Sequence, residues 1–102
     1  MARIVWTERA ISDLGEIAEF IAYDNPDAAS RLAMRIISHV DQLAGHPLSG
    51  SVPPEDRSGL YRQISESPCR VIYRFDGTTA IILRVLRVER LLRPSFFKNL
   101  ER

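Results

Sequence analysis

The chain has 102 residues, 45% of them hydrophobic and 26% charged, which fits one globular domain over 1–102 and leaves too little length for two. No apolar run reaches the roughly 18–20 residues of a membrane-spanning helix, and the N-terminus carries acidic residues where a signal segment would be apolar. A single cysteine, Cys69, excludes an internal disulfide and a cysteine-based zinc site; the expected location is cytoplasmic.

The net charge of +1 hides a split: residues 1–50 sum to −3 and residues 51–102 to +4. Of the fourteen basic residues all but Lys98 are Arg. Arg binds phosphate and carboxylate through a planar, two-pronged contact that Lys lacks. A GC-rich coding bias accounts for this as well as a basic surface for an anionic partner does.

Residues 2–6, ARIVW, predict a short opening strand. Thr7 is placed to cap a first helix, with Glu8 favourable at the positive end of its dipole. Ile11, Leu14, Ile17, Ala18 and Ile21 then recur at helical spacing, and Asn25-Pro26 ends the helix. Gly15 within it either permits close approach of a neighbour or is simply tolerated. A second helix opens at Pro26 or Asp27 and carries Ala29, Leu32, Ala33, Ile36, Ile37, Val40, Leu43 and Ala44 on one stripe. Gly45 is the expected C-cap, and Pro47 forbids continuation. The short connection predicts an antiparallel helical hairpin. Residues 47–59, PLSGSVPPEDRSG, read as the one long loop.

Beyond Gly59 the hydrophobic period becomes two. LYRQIS, CRVIYRF and AIILRVLRV predict three strands, the last two joined by an Asp76-Gly77 turn. The expected fold is therefore α+β: an N-terminal strand and a two-helix hairpin on a mostly antiparallel sheet, in the order β-α-α-β-β-β. Residues 91–102 fit either a short helix or an extended tail.

Strict alternation puts Cys69, Val71, Tyr73 and Phe75 on one face, with Arg70, Ile72 and Arg74 opposite. In the last strand Ile81, Leu83, Val85 and Arg87 share one side, and Ala80, Ile82, Arg84, Leu86 and Val88 the other. The face away from the helices then shows Arg70, Arg74 and Arg84 among Ile72, Ile82 and Leu86. Two readings follow: an exposed patch that marks a partner site, or a face covered when Leu91, Leu92, Phe96 or Phe97 folds back over it.

There is no glycine-rich phosphate loop. His39 and His46 are too few and wrongly spaced for a zinc site, so no metal and no cofactor is implied. Cys69 reads as a buried small side chain. Asp13, Glu16, Glu19 and Asp24 read as the solvated face of the first helix. From the residues alone, the function is binding of an anionic or acidic partner.

Several stretches in order carry a family likeness: IVWTERAISDLGEIAEFIAYDNPDAASR, then HPLSG, Gly59-Leu60, CRVIYRF and ILRVLRVER. Together, across essentially the whole chain, they resemble ParE/RelE superfamily toxins of bacterial type II toxin–antitoxin systems. The resemblance implies one of two activities. ParE-type members poison DNA gyrase and have no known catalytic residues; RelE-type members cleave mRNA in the ribosomal A site. Cleavage needs cations that stabilise phosphate charge together with groups that move protons. Arg70 matches the family's sheet-face arginine and Arg62 lies near another basic position. The paired lysines are absent, Arg87 stands where His is frequent, and the C-terminal Tyr has no counterpart. Arg is a poor general acid or base, so the sequence favours the ParE side.

On that reading Arg70, Arg84, Arg87, Arg90, Arg93 and Phe96 are the expected target contacts. Were the chain RelE-like, Arg62, Arg70 and Arg87 would be catalytic. The resemblance also implies a small acidic antitoxin with a DNA-binding N-terminal half, docked on Leu14, Ile21, Ile72, Ile82 and Leu86 to form a hetero-oligomer. A third alternative is an inactive toxin-like domain that only modulates its antitoxin repressor.

Overall fold

The computed structural model describes residues 1–101; Arg102 lies outside them. The elements are β1 (Arg3–Trp6), α1 (Glu8–Ala22), α2 (Pro26–Asp41) with a one-turn 3-10 extension (Gln42–Ala44), β2 (Arg62–Glu66), β3 (Cys69–Phe75), β4 (Thr79–Arg87) and α3 (Pro94–Lys98). The sheet order is β1-β4-β3-β2. β2, β3 and β4 form an antiparallel meander, and β1 joins the edge parallel to β4. A parallel pair requires a crossover, which the α1–α2 hairpin begins. The expected fold is the observed one, and the C-terminal segment takes a short helix.

Local chemistry fixes the helix starts. Thr7 Oγ1 accepts from Ala10 N at 3.2 Å and donates to the Ile82 carbonyl at 2.8 Å, so the cap of α1 is also pinned to β4. Asn25 caps α2 by accepting from Ala28 N at 3.1 Å, with Pro26 in the first turn. Gly45 caps the 3-10 extension that ends at Ala44 and not α2 itself, whose C-cap is Gln42, and at φ −92° it does so in ordinary right-handed geometry.

Between helices and sheet, Ala10, Leu32, Ile36, Val40 and Leu43 meet Ile64, Cys69, Val71, Tyr73, Ala80, Ile82 and Val85. Each large aliphatic side chain fully buried there is worth about 1.5–3 kcal/mol. Two members of the predicted stripes fall outside the core: Ile11 is 57% exposed and Ile37 44%. Each lies one residue past a buried neighbour, Ala10 or Ile36, and one residue is about 100° around a helix.

The alternation expected for the last strand fails in its middle. Ile72 pairs with Arg84 but Tyr73 pairs with Ile82, so β4 carries one extra residue, Leu83, in a bulge. A bulge reverses side-chain parity. Ile82 therefore belongs to the helix-side core, fully buried, while Leu83 turns to the second face with Ile81, Arg84 and Leu86. That second face is covered. Tyr61, Ile72, Leu83 and Leu86 pack under Phe97, with Leu92, Phe96 and Leu100 around it. The fold-back reading holds, and the exposed patch of Ile72, Ile82 and Leu86 does not exist in this structure.

Candidate functional site

The second face and its rim hold most of the C-terminal arginines, and their partners decide what they can do. Arg70, on β3, donates from both terminal nitrogens to Glu55 at 3.1 and 2.8 Å, and from Nη1 to Gln63 Oε1 at 2.9 Å. Its Nε is buried without a partner. Hydrogen bonding to Arg70 holds the Glu55 carboxyl below its usual range. Arg84, on β4, donates from Nε to Asp13 Oδ2 at 2.6 Å and from Nη2 to Oδ1 at 3.3 Å. The same carboxylate accepts from Val85 N at 3.0 Å. Arg74 forms a two-pronged pair with Glu101 at 2.9–3.2 Å.

Two expectations are corrected here. Arg70 and Arg84 are not displayed to an anionic target; they are 6% and 8% exposed and internally neutralised. Asp13 is not solvated; it is 7% exposed and is the counter-ion of Arg84. The signal for Asp13 lay in its spacing: three residues after Ala10 and four before Ile17, it shares the buried arc of α1.

The other sheet arginines are half-engaged. Arg87 lies over the Phe20 ring at 5.2 Å with Nε 3.1 Å from Glu89. Arg62 donates to the carbonyls of Leu48 and Gly50 at 3.2 and 2.8 Å. The trio Arg62, Arg70 and Arg87 is not brought together. Arg62 pairs opposite Tyr73 and Arg87 opposite Cys69, toward the two ends of β3, and Arg70 points to the other face. Beyond the sheet, Arg90 lies over the Phe96 ring at 5.8 Å, and Arg84 faces the same ring at 5.4 Å. Arg90, Arg93 and Lys98 are exposed, and none has a carboxylate in ion-pair range among the described residues.

Groups able to move protons are committed elsewhere. The buried Tyr73 hydroxyl donates to the Pro47 carbonyl at 2.8 Å and accepts from Gly50 N at 3.0 Å; burial pushes its pKa up. Tyr61 donates to Glu101 at 2.9 Å, and burial followed by that bond raises its pKa to about 12. His39 meets Glu66 at 3.0 Å where α2 crosses the end of β2, beside Arg35. Cys69 is buried as expected, and burial raises its thiol pKa. Of the five residues expected to meet an antitoxin, Leu14 and Ile21 pack partly buried against the helix-side core, Ile82 is inside it, and Ile72 and Leu86 lie beneath α3. The exposed apolar residues of the helices are instead Ile11, Phe20, Tyr23, Met34 and Ile37.

A helical hairpin on a four-stranded sheet of this order is the α+β fold of small toxins from type II toxin–antitoxin systems. The chain belongs to the ParE toxin family: residues 4–92 match the model described as the ParE toxin of the type II toxin-antitoxin system parDE. It is 36% identical over 93 residues to the toxin RelE2 of Caulobacter vibrioides, covering 89% of this chain and 100% of that one. It is 32% identical over 87 residues to the toxin ParE3 of the same organism, covering 84% and 86%. Its fold matches a chain of the chromosomal ParDE system from P. aeruginosa with a TM-score of 0.68 and 26% identity, over 87% of this chain and 98% of that one.

Proposed function

We propose that this toxin inhibits growth by poisoning DNA gyrase and is neutralised by a cognate antitoxin. The observation that carries the gyrase reading is the internal neutralisation of the sheet arginines. Arg70 on Glu55 and Arg84 on Asp13 leave, among the described residues, no cluster of available cations beside a proton-transfer group on the sheet, which an RNA-cleaving site would need. The positive charge left available lies on the exposed Arg90 and Arg93, with Arg90 over the Phe96 ring and Arg87 at the end of β4 held against Phe20 and Glu89, and it suits contact with a macromolecular surface. The antitoxin reading is supported by the family and by the exposed Ile11, Phe20, Tyr23, Met34 and Ile37 of the hairpin.

A second reading, ribosome-dependent mRNA cleavage, is favoured by the match to RelE2 over that toxin's whole length. Induced expression with two readouts separates them. Gyrase-linked DNA breaks with intact mRNA support the proposal. Codon-specific mRNA cleavage with normal supercoiling overturns it, and growth without either effect makes the chain an inactive modulator of its repressor.

A further inference from the structure

A second feature lies outside the arginine rim. The loop before β2 is built rigidly around Asp56, whose buried carboxylate accepts from Ser58 N at 3.0 Å, Ser58 Oγ at 2.7 Å and Tyr61 N at 3.0 Å. Gly59 turns the chain with φ +71°. Both carboxylate oxygens of Asp56 are engaged by these bonds. Its neighbours Arg57 and Leu60 are held outward, Leu60 55% exposed. Facing them across a cleft of about 400 Å³ is α3, with Pro94, Ser95, Phe97 and Lys98. The cleft therefore has an apolar floor of Leu60, Tyr61, Pro94 and Phe97 between two cations, Arg57 and Lys98. Neither cation has a carboxylate partner among the described residues.

We propose that this cleft is a docking site for an acidic peptide segment of a protein partner, one apolar side chain seated on the floor and flanking carboxylates paired with Arg57 and Lys98. Charge complementarity selects the sign: Arg57 and Lys98 outnumber the one carboxylate lining the cleft, Asp56, which is buried and held by the loop's own donors. The apolar floor selects peptide over nucleic acid, because a phosphodiester backbone needs a continuous track of cations, whereas these two flank a space of side-chain size. Preorganisation by Asp56 means that little ordering is needed on binding. The site is distinct from Arg87, Arg90 and Arg93, and the proposal stands whichever macromolecule the toxin acts on.

The test uses the purified full chain and fluorescence anisotropy with a labelled peptide in which Leu-Phe is flanked on each side by Asp-Glu. The double variant R57E/K98E should weaken binding by about tenfold or more, the scale expected when two interface charges are reversed. L60D should weaken it too, and R3E, an exposed charge on β1, should not. All four sites are exposed, so circular dichroism should report an unchanged fold. Absence of peptide binding, equal affinity in R57E/K98E, or displacement of the peptide by a single-stranded RNA of equal charge would overturn the proposal. None of these readouts depends on gyrase or the ribosome, so this site and the poisoning mode fail or stand separately.

Discussion

Asp13 of α1 and Arg84 of β4 form a buried ion pair at 2.6 Å, and Asp13 also accepts the backbone N–H of Val85 just past the β4 bulge. One carboxylate therefore ties the first helix to the irregular point of the central strand. It neutralises the arginine that β4 carries on the second face and satisfies a strand amide. The pair explains how a charged residue is accommodated in the middle of a sheet that is covered on both sides.

Asp13→Ala should destabilise the protein by about 3–5 kcal/mol, since breaking a buried pair leaves its partner charged and uncompensated. The double change Asp13→Leu/Arg84→Met should cost clearly less than Asp13→Ala, because no charge is left behind. Urea denaturation of the three proteins measures this. An Asp13→Ala protein as stable as the parent would show that the pair contributes nothing.

Two glycines predict opposite outcomes. A Cβ on Gly50 would sit 2.7 Å from the Gln63 carbonyl and 2.7 Å from the Tyr73 ring and hydroxyl. Gly50→Ala should cost on the order of 1–3 kcal/mol by overpacking. A Cβ on Gly15 meets open space within α1, so Gly15→Ala should stabilise by about 0.5–1 kcal/mol. Thermal unfolding of both variants checks the contrast, which also answers the sequence's question about Gly15: nothing approaches it.

The C-terminal cover should loosen in acid. Hydrogen bonding to Arg74, aided by Tyr61, holds the Glu101 carboxyl below its ordinary 4.5, against the effect of burial. A depressed carboxylate contributes its stability above the unfolded pKa and loses it as pH falls through the folded one. The clamp should thus be intact at neutral pH and weaken below about 4.5. Binding of an apolar dye should rise there as Ile72, Leu83 and Leu86 are uncovered, and Glu101→Gln should show raised dye binding already at neutral pH. A flat dye response that is identical in Glu101→Gln would refute the clamp.

Charge reversal at Arg90 and Arg93 should abolish growth inhibition while antitoxin capture persists, because both residues follow the sheet in the chain and neither belongs to the helices that carry Ile11, Phe20, Met34 and Ile37. An interfacial charged pair that loses one member typically costs about 2–5 kcal/mol, enough to weaken a target complex many-fold. Arg87→Ala should act in the same direction and also free the Phe20 ring. Growth inhibition that survives the Arg90/Arg93 reversal would move the target contact elsewhere.

The order of elements was legible in the chain because it rests on short-range physics. Thr7 and Asn25 cap where they stand, the apolar period changes from helical to alternating after Gly59, and Asp76-Gly77 turns a hairpin. The family was legible for a related reason: its motifs are the same helix, turn and strand signals in the same order.

What the arginines do was decided only by the tertiary structure. Parity along β4 depends on one extra residue, Leu83, and a bulge is set by the pairing of two strands and not by either alone. The carboxylates that neutralise Arg70, Arg74 and Arg84 stand 15, 27 and 71 residues away in sequence. Charge pairing acts through space, so a sequence reveals the number of cations, while only the folded chain determines which of them remain available.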